Sequence, residues 1–145
     1  MFKHLLVPID GSPTSQLAVD KAIGLARAFS SAVSVLYVID PYPFTGVGAD
    51  FSYGQTQYLG AARAEANDAL ALARQAFEAA GIRVSASLVE SHTVWRGIIE
   101  AAEAGGADLI VMGSHGRSGF EKLVLGSVAQ RVLSHAHQPV LVVRG

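Results

Sequence analysis

Short apolar runs without polar interruption set the strongest limit on what this chain can fold into. "HLLVPI", "AVSVLYVI", "ADLIVM" and "PVLVV" are rich in β-branched residues, and "RVSASLV" is a weaker, alternating relative. A strand that is apolar at every position is buried on both faces, which is the condition of a parallel sheet covered by helices on each side. Helical segments fall between the runs: Pro13 to Phe29, about Gln57 to Ala80, Val94 to Ala104, and Ser127 to about Ala136. The order is β-α repeated and closing on a strand, so the expected class is α/β, with three α/β/α layers around an open five-stranded parallel sheet.

Punctuation at the segment ends agrees. In "DGSPTS", Ser12 is placed to cap the first helix with Pro13 at its first position, and glycine ends helices in "AAG" at 79–81 and "EAGG" at 103–106. No internal repeat or linker divides residues 1–145, which read as one domain. Half of the residues are apolar and 16% are charged, the balance of a chain with a packed core. One connection, Asp40 to Gly54, is long and rich in Gly, Pro and aromatics; it reads either as a lid or partner surface or as a variable insertion.

Charge and composition exclude several functions. Net charge is −1 and the 11 Lys and Arg residues are scattered, so there is no basic stripe for nucleic acid. The absence of cysteine removes thiolate nucleophiles, disulfides and Cys-based zinc sites. "MFKHLLVPID" has no long apolar core or small-residue cleavage site, and no stretch reaches the roughly 20 residues of a membrane helix. The expectation is a cytoplasmic protein without membrane insertion.

"GSHGRSGFEKLVLGSV", Gly113 to Val128, carries the candidate chemistry. Gly113 falls at the carboxyl end of the fourth strand and Gly126-Ser127 at the start of the last helix. Glycine lets a ligand approach the main chain, and the first amides of a helix have no intrahelical partner, so phosphate is the natural guest. The alternative is that these glycines only turn the chain and Ser127 only caps a helix. If strands one to three run outward and strand four returns to the other side of strand one, the order is 3-2-1-4-5. The crevice between strands one and four is then the switch point where such sheets bind ligands, with Asp10 and Gly113 facing across it. Asp10 there bonds a ribose hydroxyl or holds a magnesium-bound water; its alternative is an Asx turn into the first helix.

Arg117 is a candidate for the terminal phosphates, and His115 a weaker one, against the reading of both as solvated loop residues. His135 and His137 do not share a helix face and suit a helix C-terminus better than a metal. There is no G-x4-G-K-[ST] loop and no G-x-G-x-x-G opening the first helix.

These stretches together resemble the universal stress proteins of the ATP-binding type: "LLVPIDGS", "LYVID" and "ADLIVMGSHGRSGFEKLVLGSVAQRVLSHAHQPVLVV" span essentially the whole chain. The family's motif G-x2-G-x9-G-[ST] falls on Gly113, Gly116, Gly126 and Ser127. The resemblance implies a Rossmann-like, adenine nucleotide α-hydrolase-like fold. It implies further that Pro8, Ile9 and Asp10 flank the adenosine, that Val38 offers main-chain bonds to the adenine edge, that Met112 packs against it and that Val128 adds an amide to the phosphate cradle. ATP, or AMP or ADP, with Mg2+ is the implied ligand, and a homodimer joined through Pro139 to Val143 the implied assembly; that strand's free edge invites pairing in any case. The chain departs from the family at "ESHTVWRG", where relatives commonly read Gly-Asp-Pro, so Ser91 to Trp95 carry no assigned role; nor do Tyr42, Phe44 and Tyr53 of the long connection.

The leading expectation is a small dimeric nucleotide-binding regulatory protein of the stress response, acting on an unidentified protein partner. No residue is assigned as catalytic. A slow Mg-dependent ATPase at the same site and a nucleotide-free dimeric interaction module are the alternatives, because backbone amides, one carboxylate and one arginine make a good cradle and a poor phosphoryl-transfer catalyst.

Overall fold

The structure is a computed structural model that describes residues 1–41, 49–115 and 125–145, and of 49–53 and 55 the backbone alone. Strands and helices alternate: β1 (His4–Ile9), α1 (Pro13–Phe29), β2 (Ala32–Ile39), α2 (Ala49–Ala79), β3 (Val84–Glu90), α3 (Val94–Ala104), β4 (Leu109–Gly113), α4 (Ser127–His135) and β5 (Val140–Val143). The sheet order is β3-β2-β1-β4-β5, with every neighbouring pair parallel. The expected α/β class and 3-2-1-4-5 order are what the chain adopts.

Strand alternation divides the core into two layers. Leu5, Val7 and Ile9 of β1 face α1 and α2, meeting Ala18, Val19 and Ala22 on one helix and Ala66, Leu70 and Phe77 on the other. Leu6 of β1 points the opposite way, to Ile98 and Ala102 of α3 and Ala129 and Val132 of α4. Each central strand is therefore apolar at successive positions because successive positions enter different cores. β3 alternates in sequence because it is an edge: Val84, Ala86 and Leu88 pack under α2 while Ser85 and Ser87 are exposed.

The caps form as read. Ser12 accepts a hydrogen bond from the Ser15 amide at 3.2 Å, with Pro13 opening α1. Gly81 follows α2 at φ +77° and Gly106 follows α3 at φ +68°, a backbone that side chains with a Cβ rarely adopt. At the last helix the cap is Gly126, in extended conformation, and Ser127 is the first helical residue. The larger difference is in the long connection. Its end, from Ala49 to Gly54, is already helix, because an Ala-rich helix propagates one hydrogen bond per added residue and carries its two glycines, Gly54 and Gly60, at modest cost. Tyr42 and Phe44 lie outside the described residues, as does the side chain of Tyr53.

The amino-terminal end of the sheet is pinned by Asp108, whose carboxylate accepts from the amides of Lys3 (2.8 Å) and His4 (3.1 Å). Burial acts to raise this carboxyl's pKa, but the amides of Lys3, His4 and Asp108 itself, with the charge of His4, hold it below the ordinary 3.8. A depressed pKa gives stability that is present above the unfolded value of 3.8 and lost as the pH falls through the lower folded one. Asp108→Asn is therefore expected to weaken the fold at neutral pH and to flatten its loss of stability on acidification below about pH 4; urea unfolding at neutral and acid pH checks both.

Candidate functional site

A cavity of about 640 Å³ opens at the carboxyl end of the sheet, within the range of small-molecule sites. It lies where β1 and β4 part: their ladder pairs Leu5 with Leu109 and Leu6 with Ile110, and β1 then runs on beside β2 to Ile9. This is the switch point of the strand order.

The described candidates from the sequence all line it: Pro8, Ile9 and Asp10 from the end of β1, Val38 from β2, Met112 and Gly113 from β4, and Gly126, Ser127 and Val128 at the start of α4. Gly116 and Arg117 lie outside the described residues. Val38 sits one residue past the last β1–β2 pair, Ile9 with Tyr37, while β3 still holds it through Val89. Met112, buried, shares a core with Val38, Val94 and Ile98, so this end of the cavity is an apolar slot. The same cavity is lined by Ser127, Val128 and Ala129, the first turn of α4, where amides lack intrahelical acceptors and the helix dipole is positive.

The two described glycines of the motif serve the protein's own chain. A Cβ on Gly113 would lie 2.7 Å from Thr14 Cγ2 and 3.1 Å from the Thr14 carbonyl carbon, so bare backbone here lets the start of α1 pack on β4. A Cβ on Gly126 would lie 3.1 Å from His115 Cα. The Gly126 amide donates to Ser114 O at 2.7 Å and is spent inside the fold. These glycines therefore bring β4, α1 and α4 close together, and both also line the cavity.

Asp10 takes the turn that was its alternative role, since its Oδ1 accepts from the Ser12 amide at 2.9 Å. Asp10 also lines the cavity. Tyr37 Oη donates to Asp10 O at 3.2 Å and holds the end of β1 to β2. His115 lines the rim with both ring nitrogens engaged, Nε2 at 3.1 Å from Thr14 Oγ1 and Nδ1 at 3.2 Å from Ser114 Oγ. His135 lies against Trp95 with ring centroids 4.4 Å apart and its Nδ1 2.9 Å from Arg131 O, while His137 pairs with Glu103. Among the described residues no group of three His, Cys, Asp or Glu side chains is placed to hold a metal.

Other lining residues were not singled out in the sequence. Val94, in the stretch without an assigned role, forms part of the slot, and α2 contributes Tyr58, Ala61, Ala62 and Glu65 along one side. The spacing 58, 61/62, 65 is one helix face, which periodicity reveals, but only the packing of α2 says that its upper end faces a cavity.

Residues 1–144 match the universal stress protein family. Universal stress protein MJ0531 of Methanocaldococcus jannaschii is 38% identical over 144 residues, covering 99% of this chain and 83% of the relative. Among solved structures, universal stress protein UspA from Lactobacillus plantarum superposes with a TM-score of 0.88 at 25% identity, over 99% of this chain and 98% of that one. A universal stress protein solved in complex with cAMP superposes with a TM-score of 0.71 at 25% identity, over 98% and 96%. With the strand order, the switch-point cavity and this match along the sequence, the chain belongs to the universal stress protein family.

Proposed function

We propose that the protein is an ATP-binding regulatory protein of the stress response that works as a homodimer and does not depend on turnover of its nucleotide. The observation that carries this reading is one cavity joining an apolar slot, at Val38 and Met112, to the amide-bearing start of α4. A planar base fits the first and phosphates the second. Each amide bond to a charged phosphate contributes about 1.5–3 kcal/mol, so three of them with a packed base reach micromolar affinity, about −8 kcal/mol. A relative of the same fold was solved with cAMP, an adenine nucleotide. Asp10 fits a role at the ribose or, through water, at Mg2+ that enters with the phosphates, which supply the remaining oxygens. The metal neutralises phosphate charge when bound.

The homodimer rests on β5, Val140–Val143, at the edge of the sheet with Leu141 39% exposed. Pairing along it extends the sheet across two copies.

Protein purified without added nucleotide, then denatured, is expected to release adenine nucleotide at near one per chain, identified by anion-exchange chromatography and mass spectrometry. ADP or AMP alone would make hydrolysis the reading to pursue. Nothing released, with no thermal shift at millimolar Mg-ATP, overturns the proposal.

A further inference from the structure

A second, smaller cavity of about 250 Å³ lies between α1 and α2. Ile9 of β1, Val19 of α1 and Ala73 of α2 are its buried walls, and the less buried Gln16, Ala69 and Leu72 complete it. Leu72 is 67% exposed, a large apolar side chain that the fold leaves uncovered beside this space. Among the described residues no charged side chain lines it. An apolar cavity of about 150 Å³ accepts benzene, so this one has room for two fused rings.

One polar group here has unused capacity. Ser12, also in the lining and 5% exposed, accepts from the Ser15 amide at 3.2 Å, and among the described residues nothing accepts its own hydroxyl proton. A buried donor without an acceptor is costly until something supplies one. An uncharged ring that carries a hydroxyl supplies it. A carboxylate would bring charge into an apolar space with no cation in its walls.

This cavity adjoins the larger one, since Ile9 and Ser15 line both. The face of α2 that passes the larger cavity at Ala61, Ala62 and Glu65 continues past the smaller at Ala69, Leu72 and Ala73. The Ser12 amide is the donor to Asp10 Oδ1 at 2.9 Å, and Ser15 Oγ, which donates to Ser12 O at 3.0 Å, lies 3.5 Å from the Asp10 amide. A ligand on the Ser12 hydroxyl therefore touches the turn that holds Asp10 in the larger cavity. We propose that the cavity between α1 and α2 is an effector site for a small uncharged aromatic alcohol, and that filling it changes nucleotide affinity through the turn from Asp10 to Ser15. Binding there stands on its own geometry; the effect on nucleotide rests on the reading above.

The probes are 2-naphthol and its charged relative 2-naphthoate. Titrated into the full chain freed of nucleotide and followed by 1H–15N NMR, 2-naphthol is expected to saturate with a Kd of about 1 mM or tighter, moving the amides of Gln16, Val19, Ala69 and Leu72. The carboxylate is expected to bind about ten-fold more weakly. Ala69→Leu, at a half-buried position, fills the space and is expected to weaken 2-naphthol about ten-fold; Leu72→Ser, at an exposed one, weakens it about three-fold. Saturating 2-naphthol is expected to change the Kd of Mg-ATP about five-fold in the unsubstituted protein and not in Ala69→Leu. No saturable shifts, or shifts that persist unchanged in Ala69→Leu, overturn the site. Saturable binding that leaves Mg-ATP affinity unchanged overturns the effector role. If 2-naphthol binds as expected and Mg-ATP binds neither with nor without it, the nucleotide reading fails, the effector role fails with it, and the small cavity stands as a binding site.

Discussion

Gly113→Ala is expected to destabilise the protein by about 1–3 kcal/mol, the cost of forcing one methyl group into a packed core. The new methyl would sit 2.7 Å from Thr14 Cγ2 and 3.1 Å from the Thr14 carbonyl carbon. Thr14 cannot swing away, because it is buried, β-branched, and has its Oγ1 3.1 Å from His115 Nε2. The first turn of α1 must lift from β4, and Tm falls by several degrees for a chain of this size. Two companion variants make the test specific. Gly24→Ala, exposed within α1 and with nothing within 4 Å of its added Cβ, is expected to stabilise by about 0.5–1 kcal/mol through helix propensity. Thr14→Ser removes the clashing methyl while keeping the hydroxyl, and in the double variant it is expected to return part of the loss. If Gly113→Ala instead kept full stability and lost only nucleotide affinity, the glycine would be reserved for ligand and the packing account would be wrong.

Ser127→Pro is expected to weaken ATP binding about ten- to a hundred-fold while leaving the fold intact. Ser127 is the first residue of α4, where proline is well tolerated, and Gly126 before it already has the extended backbone that a following proline requires. The substitution thus removes one proposed phosphate donor without costing a helical hydrogen bond. A charge-assisted bond of this kind contributes about 1.5–3 kcal/mol, which converts to the stated loss. Ser127→Ala keeps the amide and removes only the hydroxyl, so it separates the two groups: a small effect for Ala with a large one for Pro assigns the work to the backbone. Calorimetry with Mg-ATP, beside a thermal melt of each unliganded variant, reads both quantities. Equal affinity in all three proteins would move the phosphates away from α4.

These variants address the two parts of the motif separately. Gly113 and Gly126 are places where chain meets chain, and residues 127–129 are where amides are left over. The spacing of glycines in the sequence marks the site without telling which glycine serves packing and which donates. A glycine that admits a helix and one that admits a phosphate are the same letter.

Much of the architecture was legible because it follows from local chemistry. Runs such as "HLLVPI" that are apolar at every position require cover on both faces, so a parallel sheet and its helices follow from hydrophobic periodicity and chain reversal alone. The caps at Ser12, Gly81 and Gly106 are equally local, each depending on residues within one turn. Position at the switch point also followed, since strand order and direction determine where strand ends part. What only the tertiary structure decided are relations between residues far apart in sequence: Thr14 beneath Gly113, the Gly126 amide spent on Ser114, and Val94 entering the slot. The face of α2 that lines the cavity belongs with them. Periodicity says which side of an element is apolar, but distances of a few ångströms between elements are set by how whole side-chain layers interlock, and close packing has no one-dimensional signature.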